Sequence, residues 1–221
     1  MNTPELIVML THNDYTVADA EEIFDRCQQS KAQYWGIKET PLPLSTLRRL
    51  FAHMRQCGKT TVLEVVEYTP AAGLEGARMA AECGCDILMG TCFTDEINRF
   101  CLDHNLRYMP FVGTISGRPS VLQGTAEEMI AEANRYLQQG AYGIDLLGYR
   151  HTGDASSLIA QFVTSINAPV CVAGSINSLQ RLSEIKAIAP WAFTIGSAFF
   201  DHQFGNTFQE QIDTVCQFMA E

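Results

Sequence analysis

The chain is short of positive charge. Lysine and arginine total 15 against 25 aspartates and glutamates, leaving a net charge of -10 over 221 residues. An acidic domain repels a phosphate backbone unless it gathers its cations into a stripe. No stripe is visible: Arg48-Arg49 and Lys59 fall on or beside an amphipathic stretch, where solvated charges belong. Nucleic acid is therefore disfavoured as a partner. No apolar run approaches the roughly 18–20 residues of a membrane span. Met1 to Glu5 is followed only by the short run Leu6–Leu10, whereas a secretory signal needs a basic start and a longer apolar core. The eight cysteines form no disulfide framework, and Cys83-Gly84-Cys85 is too tight for a zinc pair. They read as small hydrophobes in a reducing compartment, which makes the cytoplasm the expected location. Linkers and low-complexity segments are missing too, so residues 1–221 are expected to form one domain.

What is present is an alternation. Eight short apolar runs, Leu6–Leu10, Tyr34–Ile37, Thr61–Val66, Asp86–Met89, Arg107–Val112, Tyr142–Leu147, Pro169–Ala173 and Trp191–Ile195, are separated by polar or glycine-rich turns and amphipathic stretches. Each run is apolar on consecutive residues, as strands covered on both faces are. The stretches between have helical period: Val17, Ala20, Ile23, Phe24 and Cys27 in one, Leu47, Leu50, Phe51 and Met54 in the next. Thr125 to Glu128 spells a capping box, and Asp154 and Ser178 suit N-caps. Eight β-then-α units in this length predict a single parallel (β/α)8 barrel. An open doubly wound sheet would often carry a glycine-rich loop after its first strand. Here that strand is followed by Thr11-His12-Asn13-Asp14-Tyr15.

In such a barrel the site lies at the C-terminal ends of the strands. Two small-residue turns, Gly174-Ser175 after strand 7 and Gly196-Ser197 after strand 8, can bring backbone N–H groups and hydroxyls around one phosphate. At these residues the chain resembles the phosphate-binding (β/α)8 barrels: the ribulose-phosphate-binding and tryptophan- and histidine-biosynthesis barrels and the sugar-phosphate epimerases. The resemblance implies a phosphorylated small-molecule ligand held at Gly174, Ser175, Gly196 and Ser197. The epimerases' metal-binding histidine and aspartate set is not repeated, which argues against that branch. The run Asp86-Ile87-Leu88-Met89-Gly90, with the helix and strand after it, is similar to the glycerol uptake operon antiterminator family, also a short phosphate-binding barrel.

The chemistry is expected at Lys38 and Glu64, charges on adjacent strands that are costly inside a barrel unless they face each other. Lys38 reads as an electrophile or a Schiff-base amine, Glu64 as a general acid or base. Glu67 has the opposite strand parity and is set aside. Asp145, an acid within an apolar strand, is the third catalytic candidate, with Lys38 or Arg150 as its expected partner. His12, Arg150 and His151 follow strands and are further ligand-binding candidates. The long connection Gly113 to Gly124 reads as a lid whose Arg118 meets the ligand's second charged group. The expected function is a lyase or an isomerase or epimerase acting on a sugar-phosphate-like metabolite, with no required cofactor. A divalent metal and self-association into a homo-oligomer stay open. A non-catalytic barrel that senses a phosphorylated ligand is the alternative.

Overall fold

The computed structural model describes residues 3–221; the start of the N-terminal signal reading, at Met1 and Asn2, lies outside the described residues. The eight apolar runs form parallel strands: β1 Glu5–Met9, β2 Tyr34–Lys38, β3 Thr60–Val65, β4 Ile87–Gly90, β5 Arg107–Met109, β6 Ile144–Leu146, β7 Val170–Val172 and β8 Ala192–Ile195. They hydrogen-bond in the order β6-β7-β8-β1-β2-β3-β4-β5. The β1–β8 ladder runs from Glu5 against Ala192 to Val8 against Ile195.

Between β5 and β6 the ring closes with isolated bonds rather than a ladder. Pro110 has no N–H to continue β5. Its carbonyl accepts from Asp145 N at 3.0 Å, and Tyr108 O accepts from Tyr142 N at 2.9 Å. Phe111 and Asp145 form a parallel bridge beyond them.

Nine helices are found among the described residues: α1 Ala20–Cys27, α2 Leu44–Gln56, α3 Pro70–Glu82, α4 Asp95–Asp103, α5 Ala126–Gln138, α6 Ala155–Ser165, α7 Leu179–Ile188, α8 Ser197–Phe200 and α9 Phe208–Ala220. None is long and apolar enough to cross a membrane. Thr125 and Glu128 make the capping box of α5, and Asp154 and Ser178 cap α6 and α7 with their side chains.

Two layers of core result. One lies between strands and helices. The other fills the barrel, with Ile7, Met9, Val62, Ile87, Met89, Met109, Cys171 and Ala192. Tyr34 and Trp191 meet edge to face, their ring centroids 5.5 Å apart, and pack with Tyr142 against the inner layer. Two hairpins extend the loops after β1 and β5: Thr11–His12 with Tyr15–Thr16, and Thr114–Ser116 with Val121–Gln123.

Candidate functional site

Strand alternation sets which side chains face the barrel interior. A Cβ on Gly36 would strike the inward Met9 sulfur at 2.4 Å, so Gly36 faces inward, and Lys38, two residues on, does too. The register places Lys38 beside Glu64. Both are buried, and Glu67 lies past the end of β3. Lys38 Nζ donates to Asp14 Oδ1 at 2.8 Å and lies 3.6 Å from Glu64 Oε2. Thr16 Oγ1 accepts from Lys38 N at 2.9 Å and donates to Lys38 O at 2.8 Å, fixing the strand end.

Asp14 reaches this position from a turn in which both Asn13 (φ 51°) and Asp14 (φ 66°) are left-handed. That is the type I′ pattern of a two-residue hairpin, where Asn and Asp are among the tolerated residues. Asp14 is not among the site residues expected from the sequence. Its one signal there is the Asn-Asp pair between Thr11-His12 and Tyr15-Thr16. Arg150 Nη2 approaches Asp14 Oδ1 at 3.7 Å.

Burial works against charge in this cluster, and the neighbours decide each outcome. Burial pushes the Asp14 carboxyl up, but Lys38 and Arg150 outweigh it and hold the carboxyl below its ordinary value. Burial pushes the Lys38 ammonium down, but Glu64 and Asp14 outweigh it and raise it. Glu64 ends above its ordinary value, because burial exceeds the pull of Lys38. Asp145 is fully buried, and neither of its carboxylate oxygens has a hydrogen-bond partner. Burial, then the charge of Glu64, pushes it well above the carboxylate range and favours its protonated form. The expected bond from Asp145 to Lys38 or Arg150 is therefore not made.

The two turns after β7 and β8 stand over the same mouth. Gly174 (φ 84°) and Ser175 (φ 56°) are both left-handed. A Cβ on Gly196 would come within 2.6 Å of Thr11 Oγ1, so only glycine fits there unshifted. Ser197 Oγ accepts from Asn13 N at 3.0 Å, which leaves its own proton free to donate. One cavity of about 170 Å³ is lined by both turns together with Asp14, Lys38, Glu64, Ser120 and Arg150.

The other candidates lie elsewhere. Asp145, on β6 beside Cys171 of β7, is not among the residues that line this cavity. His12 Nε2 pairs with Asp201 Oδ1 at 3.1 Å and stacks on Phe200. His151 Nε2 bonds Gly124 O at 2.9 Å. Arg118 turns onto the protein: Nη2 donates to Glu39 Oε1 at 2.7 Å and Val66 O at 3.0 Å, and Nη1 to Asp14 O at 3.1 Å. These bonds draw the hairpin tip across the mouth. Among the described residues no cluster of three His, Cys, Asp or Glu side chains is placed to hold a metal ion. The Lys38 ammonium stands between Asp14 and Glu64.

No protein-family model and no curated protein sequence matches the chain. Solved structures do resemble it. The tryptophan synthase alpha chain from Legionella pneumophila superposes with a TM-score of 0.69 at 13% identity, over 99% of this chain and 92% of that one. Orotidine 5'-phosphate decarboxylase from Pyrococcus horikoshii gives 0.66 at 11%, over 97% and 99%. A glycerol uptake operon antiterminator regulatory protein from Listeria monocytogenes gives 0.60 at 14%, over 89% and 93%. At these identities the likeness establishes a shared (β/α)8 barrel fold.

Proposed function

We propose that the chain is an enzyme acting on a small phosphorylated, sugar-phosphate-like metabolite by lyase or isomerase/epimerase chemistry. One observation carries this: a single cavity joins two Gly-Ser turns to a buried Asp14–Lys38–Glu64 cluster. Buried, mutually perturbed ionisable groups in a cleft mark functional sites. The turns receive the phosphate through backbone N–H groups and the Ser175 and Ser197 hydroxyls. Lys38 acts as an ammonium that stabilises a developing enolate oxygen. A Schiff base would need the neutral amine, which Glu64 and Asp14 disfavour. Glu64, raised toward neutrality, moves the proton. Asp145 acts only through Glu64, because it does not reach the cavity. This chemistry requires no cofactor, and a divalent metal stays open. The scattered thiols favour the cytoplasm.

The test is a thermal-shift screen of sugar phosphates, followed by turnover of the stabilising compound. Lys38→Met and Glu64→Gln should each lower kcat by about 10²–10⁴-fold. Unchanged turnover in both variants would sink the assignment. The likeness to the antiterminator protein favours a second reading, a non-catalytic phosphate-sensing barrel. A ligand-dependent RNA mobility shift without turnover would select it.

A further inference from the structure

Arg181 stands in the first turn of α7, three residues past the Ser178 cap. A cation there opposes the helix dipole, so its presence needs another reason. It is not among the residues that line the site cavity. Its Nη1 donates back to the Ser175 carbonyl and, at 3.1 Å, to Asn177 Oδ1. Its guanidinium lies over the Tyr149 ring, 4.8 Å from the centroid. The Tyr149 hydroxyl donates to Glu184 Oε2 at 2.8 Å, and Ser156 Oγ donates to the same oxygen at 3.1 Å. Burial, then Glu184, pushes Tyr149 up, which keeps the phenol protonated as that donor. Arg181 thus ties the β7 turn to the short 3-10 turn Gly148–Arg150 that follows β6.

The tie falls on one peptide of the turn. Ser175 (φ 56°) is left-handed, a conformation that L side chains adopt rarely and at a cost. The Ser175–Ile176 peptide is planar and trans, so its carbonyl and its N–H point opposite ways. Arg181, outside the cavity lining, takes the carbonyl. The N–H at the other end belongs to Ile176, which lines the cavity and engages no backbone acceptor among the described residues. If this peptide turned over, its carbonyl oxygen would stand where the N–H was and would repel an anion. Resting on the phosphate-binding reading above, we infer that Arg181 is a positioning residue for the phosphate turn. It holds the Ser175–Ile176 peptide with its donor end toward the ligand. Tyr149 is the platform that keeps the guanidinium in place. Arg181 acts through the turn and not on the ligand itself.

The experiment is NMR titration of the isotope-labelled full chain with inorganic phosphate, followed at the backbone amides of Ile176 and Ser197, one in each turn. In the wild-type protein both amide protons should move downfield. Arg181→Met should remove most of the Ile176 shift at saturating phosphate, keep that of Ser197, and weaken phosphate binding about tenfold or more. Arg181→Lys keeps the charge but loses the flat face that stacks on Tyr149. Tyr149→Leu keeps Arg181 and removes its platform. Both should diminish the Ile176 shift and spare Ser197, and they carry the test on their own if Arg181→Met does not fold. Wild-type behaviour of both variants reduces Arg181 to a remote charge and overturns the inference. An Ile176 shift that is absent from the wild-type protein, or equal in Arg181→Met, also overturns it, while the Ser197 shift keeps the phosphate reading standing. Equal loss at the two turns overturns it as well. Phosphate that moves neither amide of the wild-type protein overturns both readings.

Discussion

Asp145 shows what a barrel interior does to a carboxyl. Its raised pKa means that the fold favours the protonated form, so the cost of keeping it folded grows as pH climbs above the ordinary carboxylate value toward the folded one. Asp145→Asn removes that cost while keeping the shape. The variant should gain stability over wild type as pH rises from about 4, with a slope that approaches about 1.4 kcal/mol per pH unit. Urea unfolding of both proteins across pH 4–8 checks this, and a difference that stays flat rules it out. Lys38, Glu64 and Asp145 could be read from the sequence because a charge inside an apolar run stands out. Asp14 could not, because its importance comes from a turn that carries it back over the mouth. Arg118 was legible as a charge in a long loop. Its partner Glu39 lies 79 positions away, and nothing local announced it.

At the scale of elements, the hairpin after β5 is latched. Tyr68 donates to Gly117 O at 2.9 Å and pairs with Ser120 Oγ at 2.7 Å, beside the Arg118 contacts to Glu39, Val66 and Asp14. Arg118→Ala should ease local opening of residues 114–123 by about 1–3 kcal/mol without unfolding the barrel. Amide exchange there should quicken about tenfold or more, and unchanged rates would show that the latch holds nothing. Helix α3 makes the opposite case. Replacing a mid-helix glycine by alanine ordinarily gains about 0.5–1 kcal/mol. At Gly76 the new Cβ would stand 2.5 Å from Cγ1 of Val65, a stiff side chain on β3. Overpacking costs about 1–3 kcal/mol, so Gly76→Ala should lose stability in chemical denaturation despite its better propensity. Neither hairpin was legible in the sequence. Their paired segments are two and three residues long, too short for an alternating pattern to register.

For the molecule as a whole, the barrel was legible because burial on both faces writes each strand as a continuous apolar run. The run Arg107–Val112 overshot, since Pro110 ends the ladder at Met109. The thiols offer a global check. Cys27, Cys83, Cys85, Cys101 and Cys171 are buried, and only Cys57, Cys92 and Cys216 are partly exposed. Burial pushes Cys85 and Cys101 up to about 12. A thiol-exchange reagent should therefore label no more than three cysteines rapidly in the native protein and all eight after unfolding. Rapid native labelling of five or more would contradict the packing. The junction of β1 with β8 has a consequence for synthesis. Asn13 and Ser197 meet across 184 positions, and β1 pairs with β8 over a similar span. During translation β1 emerges early, yet one of its edges has no partner until β8 leaves the ribosome. Contacts of such long separation form late and slow folding, and an unpaired edge invites aggregation meanwhile. The Asn13–Ser197 bond, and the β8 side of the cavity with it, cannot form in a nascent chain that stops short of Ser197.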